Sequence, residues 1–547
     1  MNLTRLAPLK KMTALLLASV LALSSLTGCG DSKTAEVPDD NYRNTYEVFV
    51  YSFRDSNGDG IGDLNGVTEK LDYIKDLGFD SIWLTPICPS TTYHKYDVKD
   101  YEDIDPEYGT LDDYDNLVKE AHSRGIHIIN DMVMNHTSSS HPWFLEAQKY
   151  LRSLPEGQEP DPAACKYVDF YNFSREPLDG YVNLQGTDWY YEARFWDKMP
   201  DLNLDNEEVQ KNFADIAKFW TDHGCDGFRM DALTSYYTDD TNKSVEALGR
   251  FVSAVKTIDP KLYIVGEAWA GKDTYAKYYK SGIDSLFDFD FSGNGGTICG
   301  TVRGTKPAKS FAKAMQDEEE LFGKYSKTFI NAPFYTNHDM ARSAGYYTGA
   351  NDMDRVKLAE GLNLMMTGNA YIYYGEEIGM KGSGKKDENK RAPMYWNDDS
   401  SASGMCKGPS GMDDIKMKYP SCDDQSEDKT SILNYVKSVL TLRNSYPMIA
   451  RGKTTAVESI SSKTISAFTR TKEGSNYDFA SMKGSEKWKN LLIIINTGDK
   501  AESVDVNKSG VNVDKLADSI STGGQSSEYK DGILTAEPFS ISIFNIK

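Results

Sequence analysis

The sequence predicts an α/β protein: a (β/α)8 TIM barrel with one long insertion after its third strand, followed by a C-terminal all-β sandwich domain. Three observations carry this. Short apolar runs alternate with helical patterns over residues 45–445. The alternation lapses after the third run, in a stretch of about 60 residues rich in aromatics and acids. After about residue 450 helical spacing gives way to strand-like runs separated by Gly, Asp and Asn turns.

The composition sets the frame. The chain has 547 residues, with 61 Lys and Arg against 82 Asp and Glu, for a formal net charge of −21. Such an acidic chain repels phosphate backbones, which excludes nucleic acid as a partner class but not neutral sugars. With 39% hydrophobic and 26% charged residues it is neither wholly disordered nor a polytopic membrane protein.

Residues 1–28 read as a signal segment. Arg5, Lys10 and Lys11 precede the apolar run Met12 to Leu23, which is short for a membrane span. Leu26-Thr-Gly-Cys29 resembles a bacterial lipobox, in which the cysteine becomes lipid-modified. The expectation is an extracytoplasmic, cell-surface lipoprotein that meets the membrane only through lipidated Cys29, with residues 29–44 as a polar tether. Disulfides are permitted there. The other six cysteines show no metal-ligand spacing; Cys406 and Cys422 either pair or, like the rest, are buried thiols.

The barrel elements follow in order. Strands are expected at 47–53, 81–86, 127–134, 227–232, 262–268, 285–289, 334–339 and 370–374, with helices at 64–77, 111–124 and 206–223 between them. Gly78 and Gly125 stop the first two helices. The insertion spans about 137–200, the catalytic unit 45–445 and the C-terminal domain 446–547, with strands at 465–470, 490–495 and 539–544.

Barrel active sites form at the C-terminal strand ends. Four acidic motifs fall there: Asp131-Met-Val-Met-Asn-His136, Gly227-Phe-Arg-Met-Asp-Ala232, Val265-Gly-Glu-Ala-Trp269 and Thr336-Asn-His-Asp339. Asp231, Glu267 and Asp339 should therefore converge, with Arg229, His136 and His338 around them. Several carboxylates in one cleft suit glycoside hydrolysis, in which one acts as nucleophile and another as protonated acid. Arg229, two residues before Asp231 on a strand, points the same way and would keep it ionised. Independently, Asp55-Ser-Asn-Gly-Asp-Gly-Ile-Gly-Asp63 alternates oxygen side chains like the start of an EF-hand loop, but position twelve is Gly66 rather than Glu. It is either a cation loop or an Asp/Gly-rich turn.

Taken together and in order, these motifs resemble those of the α-amylase family of glycoside hydrolases, family 13. Met199-Pro-Asp-Leu-Asn203 is similar to a fifth family segment, Tyr93-His-Lys-Tyr-Asp97 to a Tyr-His-Gly-Tyr segment with Lys95 in place of Gly, and Ala370 to Glu376 to the eighth-strand segment. The resemblance implies that Asp231 is the nucleophile, Glu267 the acid/base and Asp339 a binder of sugar hydroxyls. It also implies that Arg229, His136, His338 and His94 contact the reacting sugar and that Tyr96 stacks on it. The insertion corresponds to the family's B domain. Related loops bind Ca2+, which implies Asp55, Asn57, Asp59, the Ile61 carbonyl and Asp63 as ligands. A second calcium site would use Asn135, but the Lys-His pair that accompanies it is replaced within Ala232-Leu-Thr-Ser-Tyr236.

Ala232 and the Met199 segment are similar to those of bacterial α-amylases intermediate between α-amylases and oligo-1,6-glucosidases. They imply endo-hydrolysis of α-1,4 bonds in starch, glycogen-type glucans and maltooligosaccharides; the roles of Asp231 and Glu267 imply a retaining mechanism, and a monomer is expected. An exo-acting α-glucosidase, an oligo-1,6-glucosidase or a transglycosylase shares this scaffold; a non-catalytic starch-binding protein is the alternative from another class.

Overall fold

The structure, a computed structural model, describes residues 43–547. The signal segment, Cys29 and residues up to 42 of the tether lie outside the described residues.

Eight parallel strands form the central sheet: β1 (Asn44–Val48), β2 (Ser81–Leu84), β3 (His127–Met132), β4 (Gly227–Met230), β5 (Tyr263–Gly266), β6 (Ser285–Phe287), β7 (Ile330–Ala332) and β8 (Ala370–Tyr373). The order is β7-β6-β5-β4-β3-β2-β1-β8. A single parallel bridge, Phe334 to Tyr371, and the Tyr371 N–H to Pro333 carbonyl bond of 2.8 Å join the two ends into a barrel.

Two strand expectations are corrected. The first strand runs from Asn44 to Val48 rather than 47–53, because residues 50–52 tighten into a 3-10 turn; Asn44 is buried in the barrel and is not tether. The seventh strand is Ile330–Ala332 rather than 334–339. Pro333 has no N–H to continue the ladder, so Thr336 to Asp339 form a loop at the barrel mouth. The 64–77 helix is two, Leu64–Glu69 and Leu71–Leu77, ending at Gly78 with φ 108°. Helices Leu111–Ser123 and Glu207–Asp222 start as expected, the first from a Thr110–Asp113 capping box and the second from the Asn206 side chain.

Strand alternation separates two cores. Trp83, Ile129, Tyr263, Val265, Phe287, Phe334 and Tyr371 fill the barrel interior, while their neighbours Ile82, Ile128, Ile264 and Leu286 pack under the helices. The insertion holds a helix, Pro142–Ser153, and three short antiparallel strands; the bridge His136–Asp201 ties its ends together and Tyr171–Leu202 ties its middle to the returning chain.

The C-terminal domain stacks a five-stranded sheet (Lys453–Ala456, Ile465–Thr471, Asn490–Asn496, Ser540–Ile546 and Val513–Ser521, in that order) against a three-stranded one. Leu492, Ile494 and Phe544 face the small sheet, whereas Ile493, Ile541 and Ile543 join the main core. Burial on both faces explains the unbroken apolar run Leu491–Ile495. The six described cysteines, Cys406 and Cys422 among them, are free thiols. No helix of the described residues is long and apolar enough to cross a membrane.

Candidate active site

A cavity of about 510 Å³ opens at the C-terminal ends of the strands. Asp231, Glu267, Asp339, His94, Tyr96 and His136 all line it. Strand register sets the first two: Met230 pairs with Gly266, so Asp231 and Glu267 follow at equivalent positions of neighbouring strands.

Arg229 organises the floor. Its guanidinium is fully buried, lies 4.9 Å from the Trp83 ring centre, and reaches Asp231 (2.6 Å), Asp131 (2.9 Å) and Glu267 (2.9 Å). One cation cannot balance three carboxylates in a dry pocket, so protons are retained. Burial raises the Glu267 carboxyl to about 7, aided by the Asp231 and Asp339 charges and opposed by Arg229. Burial likewise lifts Asp131 to about 6. The motif that contains Asp131 does not by itself reveal a role for this residue. It sits at the barrel centre, accepting also from Trp83 Nε1 (3.2 Å) and Tyr96 hydroxyl (3.1 Å).

His338 is clamped between Glu47 (Nδ1–Oε1, 2.6 Å) and Asp339 (Nε2–Oδ2, 3.1 Å). Burial opposes its charge, but the two carboxylates prevail and hold its pKa up to about 10. Asp339 responds in kind: burial would raise it, but His338 and Arg391 hold it well below the usual carboxylate range. Arg391, missed at the sequence level, donates to Asp339 Oδ1 (2.7 Å), the His338 carbonyl (3.2 Å) and the Tyr93 hydroxyl (2.9 Å). It lies in a loop after β8 with no periodic pattern to flag it. Glu47, inside β1, was also missed.

His94 and His136 are kept neutral. Burial and the Arg391 charge lower His94 to about 4, and burial lowers His136. His136 lines the cavity, with its ring buried against the backbone of Tyr96. Tyr96 lies parallel to His338 (12°, 5.6 Å) and bonds its Nε2 (2.7 Å).

Lys95 adopts φ 64°, a left-handed conformation natural to glycine, and its buried ammonium pairs with Asp105 (3.0 Å) and Glu107. The pair fixes the turn that carries His94 and Tyr96. Asp97 caps the same loop through Ser90, Thr91 and Thr92. Asn135 bonds Asp201 (3.1 Å), whose carboxyl burial raises to about 7.

Around the cavity stand the exposed aromatics Phe195, Trp196 and Trp269, apolar faces suited to sugar rings. Trp269 stacks on Phe289 (5.1 Å) and, with Asp339, also lines an adjoining cavity of about 760 Å³.

The Asp55–Asp63 loop curls so that side-chain oxygens accept nearby backbone N–H groups: Asp55 from Gly58 (2.6 Å) and Gly60 (2.7 Å), Asn57 from Asp59 (3.0 Å), Asp59 from Ile61 (2.7 Å) and Asp63 from Ser56 (2.9 Å). Its oxygen-only donors fit a hard cation. The Lys407 ammonium donates to the Asp59 carbonyl (2.9 Å), and Asp55, Asp59 and Asp63 do not gather three carboxylate oxygens within 4.8 Å of one another.

Comparison with known proteins accords with this architecture. Residues 47–452 match the catalytic domain of the α-amylase family. The chain is 40% identical over 417 residues to alpha-amylase 3 of Dictyoglomus thermophilum, covering 75% of this chain and 79% of that protein. It is 30% identical over 492 residues to an oligo-1,6-glucosidase of Bacillus cereus, covering 74% and 84%. The solved structure of Eubacterium rectale Amy13B superposes with a TM-score of 0.87 at 45% identity, covering 93% of this chain and 96% of that one. With strands, carboxylate motifs and catalytic-domain match in agreement, the chain belongs to the α-amylase family of glycoside hydrolases, family 13.

Proposed function

We propose that this protein is a retaining endo-α-1,4-glucan hydrolase acting on starch, glycogen-type glucans and maltooligosaccharides. The observation that carries the chemistry is the single Arg229 guanidinium bound to Asp231 and Glu267 while Glu267 holds its proton to about pH 7. One carboxylate is thereby prepared as nucleophile and the other as acid.

In the first step an Asp231 oxygen attacks the anomeric carbon and the glycosidic C–O bond breaks. The Glu267 proton passes to the departing oxygen, leaving a glycosyl ester on Asp231 and an ionised Glu267. In the second step Glu267 takes a proton from water, the hydroxide oxygen bonds the anomeric carbon, and Asp231 departs. Two inversions retain the α configuration. Neighbouring parallel strands lie about 4.8 Å apart. Equivalent positions on β4 and β5 thus suit the roughly 5 Å carboxyl separation of retaining enzymes. Asp339, His94 and His136 would hold sugar hydroxyls, and Tyr96 the ring face.

Ala232 at the cleft, the Met199 segment and similarity to an enzyme named alpha-amylase support α-1,4 endo action. Similarity to oligo-1,6-glucosidases favours a second reading, glucose release from short α-1,6 oligomers. Product analysis separates them. Maltose and maltotriose from soluble starch with rapid viscosity loss, abolished by Asp231→Asn, are the expected result. Glucose alone, mainly from isomaltose or panose, would establish the second.

Asp55, Asn57, Asp59, the Ile61 carbonyl and Asp63 would hold one Ca2+, serving stability rather than the reaction. Calcium should raise the melting temperature of chelator-treated protein; no change over a millimolar titration would refute the site. The Asp201 contact of Asn135 favours a structural role there over a second calcium site. Anchoring through Cys29 would hold the monomer at the cell surface, facing polymers that cannot cross the membrane.

A further inference from the structure

Three side chains that the reaction does not use meet at the opposite, N-terminal end of the barrel. His127 opens β3, Asp226 immediately precedes β4, and His122 lies in the last turn of helix Leu111–Ser123. His122 Nε2 is 2.7 Å from Asp226 Oδ2, and His127 Nδ1 is 3.0 Å from Asp226 Oδ1. One nitrogen or oxygen from each lies within 4.8 Å of the other two. It is the one group of three His, Cys, Asp or Glu side chains among the described residues that converges so closely.

We propose that this cluster binds a borderline divalent cation, Zn2+ in particular, through His122 Nε2, His127 Nδ1 and an Asp226 oxygen.

The donor set argues for the ion. Two imidazole nitrogens and one carboxylate suit Zn2+, whereas Ca2+ and Mg2+ prefer oxygen alone. Zinc bonds of about 2.0–2.1 Å in a tetrahedron place ligand atoms roughly 3.3 Å apart. Each imidazole already stands 2.7–3.0 Å from one of the two Asp226 oxygens, and one ligand atom from each residue lies within 4.8 Å of the others, so closing around an ion asks for a small rearrangement of side chains. Two of the three ligands stand on rigid backbone. The Ile128 N–H donates to Asp226 Oδ2 (2.8 Å), the outer-shell bond that typically orients a ligating carboxylate. The Asp226 N–H bonds the Ile128 carbonyl (2.8 Å) and the Asp226 carbonyl accepts from Tyr263 (3.0 Å), so the residue is stitched between β3 and β5. His122 is different. Its side chain is 40% exposed at a helix end, which leaves the fourth position open to water and lets the ring adjust.

Four residues of strand separate His127 from Asp131, or roughly 13 Å at strand rise. The ion would therefore not touch substrate. It would cross-link the end of one barrel helix to the starts of β3 and β4, stabilising the fold by binding only the native state. Without the ion, Asp226 simply bridges two imidazoles by hydrogen bonds, and that is the competing outcome.

The test is calorimetric titration of the chelator-treated full chain with ZnCl2, alongside His122→Ala and His127→Gln, with MgCl2 as the hard-cation comparison. Co2+ in place of Zn2+ reports ligation through its visible d–d bands. One equivalent of Zn2+ should bind, raise the melting temperature and, as Co2+, give tetrahedral bands. Each substitution should weaken binding at least tenfold and remove the bands. His122 is at the surface, so its variant should fold and hydrolyse starch as the parent does. Absence of zinc binding in the parent, or an unchanged isotherm in the folded His122→Ala variant, would overturn the proposal and leave a hydrogen-bonded cluster only.

Discussion

Lys95 shows how much a single side chain can decide. Its ammonium and the Asp105 carboxylate are almost wholly buried, with side chains 3% and 6% exposed. Removing one member of such a pair strands the other without a counter-charge. Lys95→Met should therefore cost about 3 kcal/mol of stability in urea unfolding and raise KM by loosening His94 and Tyr96; a loss under about 1 kcal/mol would show that the pair is solvated and dispensable. Arg391 carries a comparable load at the mouth. Arg391→Ala removes a charged hydrogen bond to Asp339, typically about 1.5–3 kcal/mol, and should lower kcat/KM by about 10- to 150-fold. An unchanged value would mean that His338 alone positions Asp339. Neither role was legible beforehand. Asp231 and Glu267 could be found because each follows an apolar run at a strand end, and Asp339 because its Asn-His-Asp motif follows the apolar stretch at the seventh strand. Arg391, Glu47 and Asp131 act through distance in space: a loop residue, a strand-interior glutamate and the inward-facing member of a motif whose partners lie on other strands.

At the scale of elements, periodicity identified the strands but not their limits. Parallel barrel strands buried on both faces read as apolar runs that continue into the turns beyond them, so expectations overran by one or two residues at six of the eight C-terminal ends. The seventh failed outright because Pro333 ends the ladder and Phe334 contributes only one bridge. Helix starts were better marked, since capping is local chemistry. Asn206 accepts from the Glu208 (2.8 Å) and Val209 (3.3 Å) N–H groups. Asn206→Ala should cost about 1 kcal/mol, read from the denaturant midpoint, and leave kcat unchanged because no residue of the helix lines the active-site cavity. A fall in kcat would mean that this helix positions β4 and Asp231. The insertion was the least legible part. Its short strands are held by irregular aromatic packing such as Phe144 on Tyr191 (4.9 Å) and Tyr171 (4.9 Å), which follows no period.

For the whole molecule, titration couples function to stability. Glu267 must be protonated to act as acid, so kcat should fall as pH rises through about 7, approaching tenfold per pH unit beyond it. A rate flat to pH 9 would exclude it as the acid. Stability should move the same way. The raised carboxyls of Glu267, Asp131 and Asp201, each at about 6–7, bind protons more tightly folded than unfolded, so their contribution declines between about pH 4 and 7. His338, raised from 6.5 to about 10, contributes fully below 6.5 and loses its contribution as pH rises through 10. Asp339, held low, opposes this at the acid extreme, and His94, His136 and His141, lowered by burial, oppose it up to about pH 6.5 without matching the four raised groups. The unfolding free energy should therefore be larger at pH 5.5 than at 8.5; the reverse order would mean that these groups titrate normally in the folded chain.

The central claim is double displacement through Asp231 and Glu267, and the anomeric form of the nascent product tests it most directly. Proton NMR of maltoheptaose hydrolysis, followed faster than mutarotation, should show α-anomers first and β-anomers only later, with Asp231→Asn giving neither. β-Anomers at the earliest times would contradict the account, since a single inverting displacement would leave Asp231 no place as nucleophile.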